Sequence, residues 1–141
     1  MTISEADFSK LAEAARLGAF RAYCPYSRFR VGAAVLTDDG RIAWGSNVEN
    51  ASYGLTICAE RNAVFRAVSD SESPTTIRAV VIYTPTTEPT APCGACRQVI
   101  NEFGPDAEIR SICDGSAELR YRLKDLLPEA FGPGNLAHPG S

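Results

Sequence analysis

The chain has 141 residues, of which 45% are hydrophobic and 22% are charged, a composition typical of one globular domain. Its 14 basic and 17 acidic side chains give a formal net charge of -3, so the chain as a whole lacks the positive charge that holds a nucleic-acid backbone. No segment has the length of an apolar membrane span, and the acidic first ten residues lack the basic start and apolar run of a signal peptide. We therefore expect a cytoplasmic protein that acts on a small substrate.

The first part of the chain predicts a helix followed by a hairpin. Ser4 stands three residues before Asp7, as in a helix-capping box, and apolar residues recur at helical spacing over 8–19. The segment 30–50 predicts two strands, because the turn-forming residues 38–40 separate two apolar runs.

The second part predicts alternating helices and strands, which indicate an α/β fold with some parallel pairing. The expected elements are a helix from Ala59 to about Val68, a strand at 77–84, a helix from Cys93 to near Gly104, a strand at 107–113, and a weaker strand and short helix before Pro128. The last ten residues, rich in Gly and Pro, are expected to form a flexible tail.

Three of the five cysteines lie at predicted helix starts. Cys58 comes directly before the second helix, while Cys93 and Cys96 are three residues apart, a spacing that turns both sulfurs to one side of a helix. Helix starts that follow adjacent strands meet at the carboxyl edge of a sheet, where ligands usually bind. One metal ion could therefore be bound by all three thiolates, and thiolates favour zinc.

Three protein ligands leave a fourth position for water, as in catalytic zinc sites. Glu60 belongs to the same helix turn as Cys58 and could carry the proton of that water. Three thiolates outweigh Zn²⁺ by one negative charge, which Arg61 and the two helix N-termini could oppose. The alternatives are a structural zinc site or a redox Cys-x-x-Cys pair, with Glu60 as an acid favoured by the helix dipole.

The remaining candidate ligands are Cys24, Cys113 and His138, and none has motif spacing to the first three. Cys24 and Cys113 are interpreted as small packing residues, and His138, in the Gly/Pro-rich tail, as a solvated side chain.

The sequence resembles the zinc-dependent cytidine deaminases, specifically their small homotetrameric type. The signature of this chemistry is Cys or His, any residue and Glu, followed by Pro-Cys-x-x-Cys. The segments that carry the resemblance are, in order, PYSRFRVGAA, NVENASYG, CAERNAVFRAV, PCGACRQVI and LLPEAF, which extend over nearly the whole chain. The resemblance implies a three-layer α/β/α fold with a mixed sheet of about five strands and helices on both faces, formed by a domain at 1–131 with a tail at 132–141.

The resemblance also implies roles for individual residues. One Zn²⁺ per chain would be bound by Cys58, Cys93 and Cys96, with Glu60 as the proton carrier and Arg61 as the charge-compensating residue. The substrate-binding residues would be Phe29 near the base, Asn47 and Glu49 at the ribose, Ala59, and Tyr53 and Phe131 from a neighbouring subunit. The implied reaction is the hydrolysis of cytidine or deoxycytidine to uridine or deoxyuridine and ammonia, a step of pyrimidine salvage.

Other interpretations remain open from the residues alone. Asn47 and Glu49 could simply form a turn, and Phe29, Tyr53 and Phe131 could serve packing. The chain could be a non-catalytic zinc-binding module, or a deaminase of deoxycytidylate, blasticidin or a base in tRNA. An editor of nucleic acid would need a basic, aromatic channel that the sequence lacks, and Glu49 would repel a phosphate near the sugar.

Overall fold

Five strands form one mixed sheet in the computed structural model, which describes residues 2–137. The strands are, in chain order, β1 (Gly32–Thr37), β2 (Ile42–Ser46), β3 (Ile77–Tyr83), β4 (Glu108–Ile112) and β5 (Leu119–Arg122). Their order in the sheet is β2-β1-β3-β4-β5; the β3 and β4 pair is parallel, and the other three pairs are antiparallel.

Four α-helices accompany the sheet at the positions that the sequence predicts. They are α1 (Glu5–Phe20), α2 (Ala59–Ser69), α3 (Gly94–Phe103) and the short α4 (Leu123–Leu126). The Ser4 hydroxyl accepts a hydrogen bond from the Asp7 N–H at 3.1 Å, which confirms the predicted cap of α1. Gly40, with φ of +86°, closes the predicted hairpin between β1 and β2.

The sheet is covered on both faces, as expected for a three-layer fold. Alternate residues of β1 point in opposite directions: Ala34 and Leu36 pack with Leu11 of α1, whereas Val35 packs with Val64 of α2. The hydrophobic cluster around Val35 and Val64 also includes Ile100 of α3 and Leu123 of α4. The three-layer α/β/α architecture is thereby confirmed, with α1 on one face and the other helices on the opposite face.

The direction of the strands brings the starts of α2 and α3 to one edge of the sheet. Both β2 and β3 run antiparallel to β1, so both end at the same edge. The expectation that the two helices follow adjacent strands is wrong, because the hairpin inserts β1 between β2 and β3. The two helices still contact each other on one face of the sheet.

The C-terminal part of the chain leaves the sheet after α4. Residues Pro133–Leu136 form one turn of 3-10 helix within the predicted tail, while His138 lies outside the described residues. Among residues 2–137, none of the helices combines the length and the apolar character that crossing a membrane requires.

Candidate metal centre and active site

The three cysteines of the two sequence motifs lie together where α2 and α3 begin. Cys58 is the N-cap of α2, Cys93 is the N-cap of α3, and Cys96 follows in the first turn of α3. Neither N-cap side chain accepts a hydrogen bond from a backbone N–H of its own helix, so both sulfurs are free to face each other. The Sγ atoms of Cys58 and Cys93 are 3.9 Å apart, and those of Cys93 and Cys96 are 3.5 Å apart.

The spacing of these sulfurs fits a tetrahedral zinc ion. Thiolates about 2.3 Å from a tetrahedral Zn²⁺ lie roughly 3.8 Å from one another. All three Sγ atoms lie within 4.8 Å of one another, and no fourth His, Cys, Asp or Glu in the described part of the chain joins the group. A structural zinc site normally has four protein ligands, so this donor set is that of a catalytic site.

The three sulfurs do not share negative charge equally. The pKa of Cys58 is lowered to about 5, mainly because the Cys96 thiol donates a hydrogen bond to it and further because of Arg61. The same hydrogen bond raises the pKa of Cys96. The cluster is therefore built around a stabilised thiolate at the start of α2, as a metal ligand requires.

Arg61 lies against this thiolate. Its Nη2 is 3.5 Å from the Cys58 Sγ, and the contact with Cys58 raises the pKa of the guanidinium. The Arg61 Nε is buried and has no hydrogen-bond partner among residues 2–137. A permanent positive charge therefore lies beside the sulfurs and partly offsets their negative charge.

Glu60 is buried in the first turn of α2, with 5% of its surface exposed. Burial raises its pKa to about 7, and the negative charge of Cys58 adds to the increase. A carboxyl group with a pKa near neutrality can both accept and release a proton at that pH. The structure thus brings together Cys58, Glu60 and Arg61, as the sequence analysis predicts.

Asn47 and Glu49 follow β2 and hold the loop that precedes β1. The Asn47 Oδ1 accepts a hydrogen bond from the Val31 N–H at 2.9 Å, and its Nδ2 donates to the Phe29 carbonyl at 2.8 Å. Glu49 accepts hydrogen bonds from the same loop at Tyr26 and Ser27. The role of Asn47 and Glu49 in holding this loop was not predicted from the sequence, because nothing in the motif around Asn47 shows which loop lies beside it.

A cleft of about 400 Å³ lies at this loop. It is lined by Tyr26, Ser27, Glu49, Tyr53 and Thr56. The rings of Tyr26 and Tyr53 are 5.6 Å apart. Of these residues, Glu49 and Tyr53 are predicted site residues. Tyr26, Ser27 and Thr56 are not. Tyr26 and Ser27 could have been found from the sequence, because they belong to the same motif as Phe29.

The predicted aromatic residues are largely exposed in a single chain. The exposed fractions are 41% for Phe29, 74% for Tyr53 and 58% for Phe131. The Phe131 carbonyl accepts a hydrogen bond from the Gln98 Nε2 of α3 at 2.8 Å, so this residue lies beside α3 and is not among the residues that line the cleft.

Three further residues named from the sequence are buried: Ala59, Cys24 and Cys113. Ala59 is the first residue of α2, and its N–H is one of the first-turn donors that have no partner within the helix. Cys24 and Cys113 are buried outside the thiol cluster, and the Cys113 Sγ lies 3.4 Å from the Ala117 carbonyl. Their positions agree with their interpretation as packing residues.

Comparisons with known proteins agree with this geometry. Residues 6–111 match the family model described as the cytidine and deoxycytidylate deaminase zinc-binding region, a range that includes all three cysteines. The cytidine deaminase of Sporosarcina psychrophila is 40% identical over 94% of this chain and 96% of the relative. The cytidine deaminase of Halalkalibacterium halodurans is 53% identical over 78% of this chain and 83% of the relative.

A solved structure supports the same relationship. The crystal structure of cytidine deaminase from Burkholderia pseudomallei superimposes with a TM-score of 0.83 at 44% identity and covers 92% of this chain and 100% of that chain. Sequence, fold and the spacing of the three sulfurs thus lead to one assignment: the chain belongs to the cytidine deaminase family of zinc-binding enzymes.

Proposed function

We propose that the chain hydrolyses cytidine and deoxycytidine to uridine and deoxyuridine with release of ammonia, in the cytoplasm and as a step of pyrimidine salvage. The observation that carries this proposal is the buried carboxyl group of Glu60 beside three thiols that lack a fourth protein ligand among the described residues. Cytosolic conditions, which keep thiols reduced, would suit such a site.

The metal would be bound by Cys58, Cys93 and Cys96. When bound there, Zn²⁺ supplies Lewis-acid activation of water, which lowers the pKa of the water. The Arg61 guanidinium, 3.5 Å from Cys58, and the N-termini of α2 and α3 reduce the negative charge of the thiolates. Arg61 would thereby limit the negative charge that the three thiolates donate to the metal.

Glu60 would move the protons of the reaction. It accepts a proton from the attacking water and delivers it to N3 of the cytosine ring, while the water oxygen bonds to C4. The remaining proton of that water, now on the oxygen bonded to C4, would then be transferred by Glu60 to the amino group at C4, so that ammonia leaves and the C4 carbonyl of uridine forms. The pKa of Glu60, near 7 through burial, suits both transfers.

The sugar would be bound at the cleft beside the loop that precedes β1. We assign the ribose to Asn47 and Glu49, the base to Phe29 and the backbone N–H of Ala59. Hydrogen bonds from Ser27 hold the pKa of Glu49 below its usual range, so its carboxylate stays charged and would repel a phosphate. The five residues that line the cleft include no Lys or Arg, which favours a nucleoside over deoxycytidylate.

The active sites would be completed by neighbouring subunits of a homotetramer. The supporting observation is the exposure of Tyr53 and Phe131, which remain 74% and 58% accessible in one chain. Large apolar side chains at this level of exposure are characteristic of interfaces when they cluster with others, as Tyr53 does with Tyr26. In this proposal residues 1–131 form the catalytic domain and 132–141 a tail outside the site.

The substrate assignment predicts a specific pattern of ammonia release. Cytidine and deoxycytidine should be deaminated with comparable efficiency, because Asn47 and Glu49 address parts that both sugars share. Their 3'-monophosphates should react at least about tenfold less efficiently, since Glu49 repels the phosphate. Absorbance loss and ammonia release, measured on zinc-quantified protein with blasticidin and 5'-monophosphates as further substrates, test this pattern. Preference for a monophosphate would contradict it.

Removal of one thiol should remove the metal. We expect Cys96→Ala to contain less than about one tenth of a zinc per chain after dialysis, because two thiolates bind the ion far more weakly than three. The matched control is Cys24→Ala, which deletes a buried sulfur outside the cluster and should retain about one zinc per chain. Metal analysis provides the measurement. Full zinc in Cys96→Ala would remove this residue from the ligand set.

Replacement of Glu60 by glutamine should separate metal binding from turnover. Glu60→Gln keeps the size of the side chain and cannot transfer a proton, so we expect normal zinc content and a kcat lowered by about 10²- to 10⁴-fold. Glu13→Gln, on the exposed side of α1, is the control and should react like the parent. A kcat within threefold of the parent in Glu60→Gln would exclude Glu60 as the proton carrier.

A mixing experiment tests whether subunits share their sites. Phe131→Ala and Glu60→Gln chains should each be poorly active alone, and sedimentation should show four chains per particle. After random reassembly from equal amounts, about a quarter of the sites would combine an intact Glu60 with an intact neighbouring Phe131. Activity well above the mean of the two separate preparations is therefore expected. Activity equal to that mean would mean that Phe131 does not cross between subunits.

A further inference from the structure

Ser27 connects two residues that the proposed function places at the substrate. Its N–H donates a hydrogen bond to Glu49 Oε1 at 3.1 Å, and its hydroxyl donates to Glu49 Oε2. The same hydroxyl oxygen accepts a hydrogen bond from the Phe29 N–H at 3.0 Å. One short side chain in the loop before β1 thus contacts both the carboxylate assigned to the ribose and the backbone of the aromatic residue assigned to the base.

The hydrogen bonds also define what Glu49 can still accept. Glu49 Oε1 receives the N–H groups of Tyr26, at 2.9 Å, and Ser27, which use both of its lone pairs. Glu49 Oε2 receives only the Ser27 hydroxyl among the described residues. A single lone pair of Oε2 therefore remains for a ligand. Ser27 and a sugar hydroxyl would bind to the same oxygen atom.

This arrangement orders a side chain that is otherwise free to move. Glu49 lines the cleft at the protein surface, where a glutamate would sample several rotamers, and fixing such a side chain on binding costs conformational entropy. The carboxylate is already fixed by three hydrogen bonds before a ligand arrives, and Ser27 donates two of them, one from its N–H and one from its hydroxyl. Pre-ordering of this kind strengthens binding without changing the chemical step.

We propose that Ser27 is a positioning residue for nucleoside binding, which holds Glu49 Oε2 toward one sugar hydroxyl and fixes the backbone at Phe29. The proposal rests on the proposed function, since it takes Glu49 and Phe29 as substrate contacts. Ser27 contacts neither the thiol cluster nor Glu60 through any hydrogen bond in the described structure. Its effect should therefore be on KM and not on kcat.

The test is the kinetics of Ser27→Ala with cytidine. We expect KM to rise about tenfold, as for the loss of one hydrogen bond to a charged group, while kcat changes less than threefold. Zinc content should stay at the level of the parent. Ser27→Thr, which keeps the hydroxyl, should restore KM to within about threefold of the parent value.

A double-mutant cycle shows whether Ser27 acts through Glu49. In a Glu49→Gln background, which removes the charged acceptor, Ser27→Ala should raise KM by less than about threefold. The matched control is Ser73→Ala, which deletes an exposed serine hydroxyl that makes no hydrogen bond to any described residue, and its KM should equal that of the parent.

The outcomes separate this inference from the proposed function. No turnover of cytidine by the zinc-loaded parent would refute the proposed function itself. If the parent turns over cytidine, three results would overturn the role of Ser27 alone. These are an unchanged KM in Ser27→Ala, a fall of kcat in Ser27→Ala as large as the rise of KM, and a failure of Ser27→Thr to restore KM. If Ser27→Ala proved unstable, Ser27→Cys, a much weaker donor of similar shape, should show the raised KM, and an unchanged KM there would also overturn the inference.

Discussion

The site depends on the close approach of two helix starts. Cys58 and Cys93 occupy the N-cap positions of α2 and α3, where most helices place an oxygen that bonds back to the helix. Here neither side chain makes that bond, and the sulfurs instead lie 3.9 Å apart. The approach is possible because β2 and β3 run in the same direction on either side of β1, so the chain leaves both strands at one edge. At these two helix starts, the N-cap side chains therefore serve the metal centre and not the capping of their helices.

Differences in burial and in local charge give neighbouring residues at the start of α2 different chemical roles. The first turn of this helix presents Cys58, Glu60 and Arg61, which serve respectively as thiolate, buried acid and permanent cation. Because the thiolate accepts a hydrogen bond from the Cys96 thiol and also lies next to the guanidinium, its pKa falls, whereas the carboxyl group, withdrawn from water, has a raised pKa. Cys58 and Glu60 therefore have pKa values shifted in opposite directions, and the difference comes from hydrogen bonding, partner charge and solvent access.

Local chemistry explains what the sequence predicts well. The cap at Ser4, the turn at Gly40 and the helix starts at both cysteine motifs involve residues close in sequence, where side-chain spacing determines geometry. The placement of β1 between β2 and β3 depends on distant pairing and was not predicted. The contacts between Glu49 and Ser27, 22 residues apart, were missed for the same reason. A short sequence motif does not indicate which distant loops contact each other at one edge of a sheet.

The polarity of the strands has one further consequence. Loops that carry Phe29, Asn47 and Cys93 all lie at the edge where β2 and β3 end and β1 begins. The turn after β1, at 38–40, lies at the opposite edge, where the Asp38 N–H donates a hydrogen bond to the Thr76 carbonyl of a surface loop. The length of a strand therefore separates the site from this exposed turn, which is the kind of segment that tolerates insertions. A fluorescent label or affinity tag could be placed in the turn, far from the metal.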